Sequence, residues 1–543
     1  MTSFHDLLRT SAERHVDRPA IRFDDQVMSY AQLLSRAEAF ASGFATRGIA
    51  ADCRLALIMD NSLECILVWL ASTLTGCTDI PINPQYRGDL LQYLLEDSEA
   101  TAVVCDAHYL SGLLEVAPRL PGLKQIIVNG DLLDTPRSRL PVNSLADCES
   151  GTQFEGPSSA GERVILYTSG TTGPSKGVIH TQRSMLNLAR YNASVLDYRT
   201  EDRLLNFFPL FHQNARYTGV VPALCAGASI RIERKLSTSR FWEICNRDGV
   251  TAFNYLGSVL RMILNATDPD LRKGMHTVNR AFGAGAPPAA WSEFEDRLGI
   301  RLFETYGLSE APMATINIPG PDRCPVGSAG RASDLFEVRV FDEADNDLPA
   351  GETGEFVLRP RRPDIFMLGY HNKAEATVAA LQNLWFHTGD RGYLSSQGHL
   401  YFEERSKDSI RRRGENISAW EVESVIEKHP AVAEAAVYGL AAADNEEDVA
   451  ASIVCSDREA DLEAIHSFAS KRLPGYAVPT LMRVVDDLPR TPTAKVKKDE
   501  LRALPRDAYT AFRLGSPPEG LDACTASSPI LHTERKRNEA EQR

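Results

Sequence analysis

The stretch Tyr167-Thr168-Ser169-Gly170-Thr171-Thr172-Gly173-Pro174-Ser175-Lys176-Gly177-Val178 constrains the fold of this chain more than any other. It follows an apolar run, Val164-Ile165-Leu166-Tyr167, that reads as a short buried strand. It precedes Gln182 to Val195, where Met185, Leu188, Ala189 and Val195 recur at roughly helical spacing. Glycines admit positive φ, so successive N–H groups in such a loop can converge on an anion. The hydroxyls add donors within reach of a phosphate-bound cation, and Lys176 adds a point charge. A Walker A loop requires G-x-x-x-x-G-K-[ST], whereas the order here is Gly170-x-x-Gly173-x-x-Lys176. A plain surface loop shares the Gly/Ser composition, but not the preceding strand and the single lysine so placed. The expectation is a polyphosphate-binding loop between a strand and a helix.

The flanking sequence alternates helical and strand patterns. Tyr30 to Arg47 reads as a helix with Leu33, Leu34, Ala37, Phe40 and Phe44 along one side. Arg54 to Met59 reads as a strand, Cys65 to Thr75 as a buried helix, and Asp79 to Ile82 and Ala102 to Cys105 as strands around a helix at Asp89 to Glu96. The rhythm resumes with strands at Arg203 to Phe208, Ser229 to Glu233, Ala252 to Leu256 and Arg280 to Gly283. Such alternation implies parallel sheet with helices on both faces. From about residue 325 the texture changes to short strands and turns, with Glu337 to Phe341 and Gly354 to Leu358 as an antiparallel pair. After Arg405 a compact α+β segment follows, and the tail from about Leu514 is rich in Pro, Ser, Glu and Arg, a composition that favours disorder.

At 543 residues the chain is too long for one ordinary core. A net charge of −14 argues against a general nucleic-acid or anionic-membrane binder, so an anionic ligand must be held by a local site. None of the 10 cysteines forms a CxxC pair, which argues against zinc and a disulfide framework and fits free thiols in a reducing cytoplasm. The N-terminus lacks the pattern of a signal peptide, and the longest apolar stretch, Cys65 to Leu74, is too short to span a bilayer. A cytoplasmic protein is expected.

Several further stretches need a common account. Pro209-Leu210-Phe211-His212 places a histidine after a strand, and Gly283-Ala284-Gly285-Ala286 offers backbone against which a flat ligand can lie. Glu304-Thr305-Tyr306-Gly307-Leu308-Ser309-Glu310 joins an aromatic plate to a hydroxyl and a carboxylate. Thr388-Gly389-Asp390, Arg405-Ser406-Lys407-Asp408, Arg411-Arg412-Arg413-Gly414-Glu415 and Thr491-Pro492-Thr493-Ala494-Lys495 follow in order. Singly, each has a structural explanation.

Together they resemble the acyl-adenylate-forming superfamily of acyl- and aryl-CoA synthetases, luciferases and peptide-synthetase adenylation domains, over about residues 10–505. The segments around Phe211-His212, Phe241-Trp242 and Arg413 to Ser418 look most like the carnitine/crotonobetaine–CoA ligase and medium-chain acyl-CoA synthetase branch. The resemblance implies an α/β fold with a large multi-subdomain N-terminal α/β domain, 1–404, whose part from about 325 is β-rich. A small mobile α+β C-terminal domain, 405–513, would turn on a hinge at 405–408, and a tail would occupy 514–543.

It implies an ATP- and Mg²⁺-dependent activation of a carboxylic acid to acyl-AMP, then transfer to coenzyme A. Hand-over to a separate carrier protein is the alternative, and a homodimer is left open. Thr168, Ser169, Gly170, Thr171, Thr172, Gly173 and Lys176 would hold the β- and γ-phosphates, with Thr172 and Glu310 toward Mg²⁺. Gly283 to Ala286, with Glu304, Thr305 and Gly307, would line the nucleotide, Tyr306 would stack on adenine, and Ser309 would contact the α-phosphate. Asp390 and Arg405 would clamp the ribose, since a carboxylate is acceptor-only. Lys495 would act in adenylation, Lys407 would be the hinge, and Arg413 and Gly414 would line the path for coenzyme A. His212, Tyr255, Gly257, Gly283 and Leu308 would surround the acid. Two departures stand out: Ala494 replaces the usual Gly before the lysine, and Gln213-Asn214-Ala215 replaces a small-Gly turn beside the acyl site.

Overall fold

The computed structural model describes residues 3–132, 138–150, 154, 156, 163–168, 174–405, 409–412, 415–442, 446–455, 461–490 and 496–512, with backbone alone for Glu404, Arg405 and Ser409. Ser169 to Gly173, Ser406 to Asp408, Arg413, Gly414, Lys495 and the tail therefore lie outside the described residues.

The large domain is α/β, built on two sheets of nine and eight strands. The nine-stranded sheet has a parallel centre, Pro19–Phe23, Ser229–Ile232, Arg203–Asn206, Ala252–Leu256, Arg280–Ala284 and Arg301–Tyr306, with antiparallel strands at its edges. The eight-stranded sheet likewise runs parallel through Arg54–Ile58, Thr78–Pro81, Ala102–Asp106, Gln125–Asn129 and Arg163–Thr168. Helix–strand alternation enforces this, because a crossover helix returns the chain to the same end of the sheet.

Between the sheets runs the helix Leu63–Thr75, in which every residue but Glu64 is buried. A helix apolar on all sides must be covered on all sides. Ser62 caps it by accepting from Cys65 N–H, and Gly76 at φ +76° ends it in the left-handed conformation that a side chain resists. Trp69 of this helix packs edge-on against Tyr217, and the Arg216 guanidinium lies 4.7 Å from the Trp69 ring centroid. Arg216 also donates to Asp79 of the opposite sheet, the two side chains being 1% and 0% exposed. Asn61 makes a second tie, donating to Phe208 O and Glu233 O and accepting from Leu210 N–H at 2.8 Å.

The segment expected to run strand–loop–helix differs in one respect. Lys176–Thr181 is itself a strand, antiparallel to Arg163–Thr168 with Thr168 opposite Lys176, and only then does the helix Gln182–Val195 begin. The glycine-hydroxyl loop thus joins two strands. Gly177-Val178-Ile179-His180-Thr181 is rich in β-branched residues and has a sheet edge to complete, which outweighs the helical pattern beyond it.

Phe336–Phe341, Gly354–Pro360, Leu381–Gln382, Trp385–Leu394 and Leu400–Arg405 form an antiparallel five-stranded sheet. Its turn at Asp342 to Asn346 is closed by the Asp342 carboxylate, which accepts from Ala344 and Asn346 N–H. The C-terminal residues build a hairpin, Ser409–Arg412 with Glu415–Ser418, and a four-stranded sheet with the helices Ala419–Ile426 and Leu462–Ser470 against it. Among the described residues no helix is long and apolar enough to cross a membrane, and all described cysteines are free, most of them buried.

Candidate functional site

The site collects at the C-terminal ends of the parallel strands of the nine-stranded sheet, where open α/β sheets leave a crevice for ligands. Register aligns Tyr255 with Gly283 and Gly283 with Glu304 across three neighbouring strands. The buried Glu304 carboxylate accepts from Tyr255 O–H at 2.6 Å, from Ala286 N–H at 3.2 Å and from Gly285 N–H. It therefore shapes the small-residue turn from within. Gly285 sits at φ +74°, and a Cβ on Gly257 would fall 1.8 Å from Gly285 O. A Cβ on Gly283 would fall 2.1 Å from Tyr255 O, so backbone meets backbone at both glycines. Tyr255 is wholly buried and supports this turn with its hydroxyl.

Burial pushes the Glu304 carboxyl up from 4.5 to about 7, against the donors that hold it down. Its raised pKa makes the folded state keep a proton that the unfolded state has released. Stability is thus full below about pH 4.5 and falls as pH rises toward about 7. The window corresponds to about 3 kcal/mol at ~1.4 kcal/mol per unit. Glu304→Gln should flatten this part of the stability–pH curve, read as urea midpoints; an unchanged slope would assign it to another group.

A second cluster forms around Tyr370, a residue not anticipated from sequence. Its hydroxyl donates to Glu310 Oε1 at 2.8 Å, and Lys176 Nζ lies 5.0 Å from its ring centroid. Gly369–Tyr370 pairs with the return strand of the loop, Tyr370 opposite Val178, which brings the ring beside Lys176. His180 on the same strand donates Nε2–H to Ser309 O at 2.7 Å, and burial holds its pKa down to about 4, so the ring is neutral. Lys176, Ser309 and Glu310 are thereby fixed to one another through Tyr370 and His180. No motif or periodicity marks Tyr370; only the edge pairing does.

Tyr306 and Asp390, 84 positions apart, meet where the Tyr306 hydroxyl donates to Asp390 Oδ2 at 2.9 Å. The Tyr306 ring is flanked by Phe356 and Phe402, with centroids 5.4 and 6.4 Å away. Asp390 stands opposite Arg405 in the antiparallel ladder. Thr305 Oγ1 donates to Thr315 O at 2.7 Å, a structural bond of the strand pair, while Leu308 is half-buried and Gly307 exposed.

The C-terminal hairpin faces this crevice. Glu415 meets His212 Nε2 at 3.0 Å; burial pushes its carboxyl up, and the His212 charge and hydrogen bond outweigh this and leave it below the ordinary value. Arg411 nitrogens lie 3.8 Å from where a Cβ on Gly285 would stand. Arg412, the middle of the run Arg411-Arg412-Arg413, turns inward: it is buried and donates to Tyr476 O and Val478 O. Alternation along the strand puts it on the core face, opposite Arg411. Glu421 accepts from Ser175 N–H at 3.2 Å and from its hydroxyl, and burial raises its carboxyl above the ordinary range.

The arrangement offers a cation and a carboxylate on one tyrosine, an aromatic plate tied to a second carboxylate, and a glycine turn. The family described as AMP-binding enzyme matches residues 8–371, and its C-terminal domain matches residues 421–495. A crotonobetaine/carnitine–CoA ligase of Salmonella heidelberg is 28% identical over 496 residues, 90% of this chain and 96% of that protein. The o-succinylbenzoate CoA synthetase of Bacillus subtilis, solved with a product analogue, has a TM-score of 0.80 at 24% identity, over 92% of this chain and 98% of that one. The ATP-bound MatB of Rhodopseudomonas palustris has a TM-score of 0.65 at 26% identity, over 92% and 98%. With the first of these matches covering most of the large domain and the second most of the small one, the chain belongs to the AMP-binding enzyme family.

Proposed function

We propose that the protein activates a carboxylic acid with a mostly apolar body to its acyl-AMP and passes the acyl group to coenzyme A, with the roles given below. The reaction class is that of an AMP-forming acyl-CoA synthetase. The acid's carboxylate oxygen attacks the α-phosphorus of ATP, forming the acyl–phosphate bond as pyrophosphate leaves. The thiolate of coenzyme A then attacks the acyl carbon, forming the thioester as AMP leaves. Neither step requires a bond to the protein, so positioning and charge neutralisation supply the rate.

The observation that carries the role assignment is the cluster Lys176–Tyr370–Glu310, in which Glu310 follows by four positions the Tyr306 that donates to Asp390. Lys176 and the loop before it hold the terminal phosphates, and Ser309 lies toward the α-phosphate. Tyr306 lies against adenine, and Asp390 accepts from the ribose. Glu310 is a nearly buried carboxylate beside a cation, a hard oxygen donor that fits Mg²⁺ carried in with phosphate, with Thr172 as the second ligand. Bound there, the ion supplies charge neutralisation. His212 lies toward the acid's carboxylate, and the hairpin carrying Arg411, Arg413 and Gly414 lies along the entry of coenzyme A. The relatives act on chemically different acids by name, crotonobetaine or carnitine and o-succinylbenzoate. They support the reaction class and leave the acid to be found.

Pyrophosphate release on adding a panel of acids, with and without coenzyme A, tests this reading. Acid-dependent release with thioester formation is expected, and no release with any acid would overturn it. Asp390→Ala should weaken ATP binding about tenfold, one hydrogen bond to a charged acceptor being worth about 1.5 kcal/mol. Unchanged ATP affinity by calorimetry would remove Asp390 from the ribose.

A further inference from the structure

The helix Ala419–Ile426 opens with Ser418-Ala419-Trp420-Glu421, and Ser418 caps it by accepting from Glu421 N–H at 3.4 Å. In that pattern the glutamate commonly turns back on the first residue of its own helix. Here its Oε1 crosses to the large domain and accepts from Ser175 N–H, at 3.2 Å, and from the Ser175 hydroxyl. Both residues are buried. Ser175 is held from its other side as well, since its carbonyl accepts from Tyr93 O–H at 2.8 Å. It stands between Pro174, whose ring fixes φ, and Lys176, whose ammonium lies against Tyr370. A carboxylate of the small domain is thus seated one residue from the cation proposed to hold the terminal phosphates.

Other contacts between the domains are of a different kind. Asn83 Nδ2 donates to the Tyr476 hydroxyl at 2.9 Å, Lys428 pairs with Asp89, and Leu90 shares an apolar cluster with Val422, Val425 and Ile426. These neutral, paired or apolar contacts favour docking whatever lies beside Lys176. Glu421 adds a negative charge to a buried place where phosphate oxygens would bring more. Burial already raises its carboxyl, so the charged form is disfavoured before any phosphate arrives. Like charges within ~6 Å of each other at a partly buried site shift a binding equilibrium by about tenfold or more.

We propose that Glu421 sets docking of the small domain against occupancy of Lys176 by pyrophosphate, so that coenzyme A, entering along the docked hairpin, binds well only once pyrophosphate has left. This rests on the acid–CoA ligase reading and adds to it a positioning residue, which acts through Ser175 and touches neither ligand. The opposition is reciprocal: the factor by which pyrophosphate weakens coenzyme A is the factor by which coenzyme A weakens pyrophosphate.

Calorimetric titration of coenzyme A into the enzyme saturated with AMP and Mg²⁺, with and without pyrophosphate, tests this. No acid is present, so neither half-reaction can run. In the unaltered enzyme pyrophosphate should raise the coenzyme A Kd by about tenfold or more. In Glu421→Gln, which keeps the shape and removes the charge, the factor should fall below about threefold. Tyr476→Phe removes a docking hydrogen bond away from Ser175, so it should weaken coenzyme A binding yet keep the tenfold factor. Each factor is a ratio within one preparation, so partial unfolding of a variant does not alter it. A coenzyme A Kd that pyrophosphate leaves unchanged in the unaltered enzyme overturns the proposal. So does a factor that survives Glu421→Gln, or one that collapses equally in Tyr476→Phe. Failure of AMP, coenzyme A and pyrophosphate all to bind would overturn the ligase reading itself.

Discussion

Lys495→Ala should reduce pyrophosphate formation by roughly 10²–10³-fold and leave thioester formation from preformed acyl-AMP within about threefold of the unaltered enzyme. The lysine closes the segment Pro489 to Lys495, and the family resemblance confines it to the first half-reaction. The small domain as seen supports a division of labour. Its hairpin, through Glu415 and Arg411, faces His212 and Gly285. The residues on either side of the Lys495 segment are instead engaged within the small domain, Arg490 with Glu434 and Lys498 with Glu423. One domain that serves two steps with two regions must present them in turn. Measuring the half-reactions separately decides the matter. Equal loss in both would mean that Lys495 supports the fold or both steps, and the assignment would fail.

Asp79→Ala should destabilise the large domain by about 3–5 kcal/mol, the usual consequence of stranding one member of a buried ion pair. Burial pushes the Asp79 carboxyl up, and the Arg216 guanidinium opposes that push. The pair is also an anchor in the mechanical sense. Asp79 lies on the strand Thr78–Pro81 of the eight-stranded sheet, while Arg216 opens the π turn behind His212 and donates to Leu210 O as well. Losing the carboxylate leaves a guanidinium in an apolar interior against Trp69, with one carbonyl for company. The paired change Asp79→Leu with Arg216→Met should recover most of the loss, because an apolar pair of similar volume needs no compensation. Urea midpoints of the two variants check this. An Asp79→Ala variant within about 1 kcal/mol of the unaltered protein would show that water reaches the pair.

What could be read from the chain was whatever depends on near neighbours. The helix Tyr30–Thr46 and the strands Arg54–Ile58, Ala102–Asp106 and Ala252–Leu256 fall close to where hydropathy period puts them, because a period of 3.6 or 2 decides which face is buried. The glycine-hydroxyl loop rests on the same local reasoning, that glycine supplies backbone freedom, but Ser169 to Gly173 lie outside the described residues. The return strand Lys176–Thr181 was not legible, since a strand at a sheet edge is chosen by the partner it completes and not by its own propensity.

The side chains of the crevice divide along the same line. Residue types that motifs specify, such as Lys176, Tyr306, Glu310 and Asp390, could be named from sequence order alone. Their mutual arrangement could not, because the Tyr306–Asp390 and Tyr370–Glu310 bonds span 84 and 60 positions and exist only once distant strands have paired. The same holds for the supports that no motif announces: Tyr370 beside Lys176, His180 beneath Ser309, Asn61 tying the two sheets, and Asp79 against Arg216. Arg412 shows the limit most plainly. It stands between two other arginines, and strand alternation and the packing of the small domain turn it inward onto two carbonyls, which the run of like residues does not reveal. Residue order names the chemistry-bearing side chains and their succession. Which of them touch follows from packing, because the cost of burying a charge or an amide is settled by partners far along the chain.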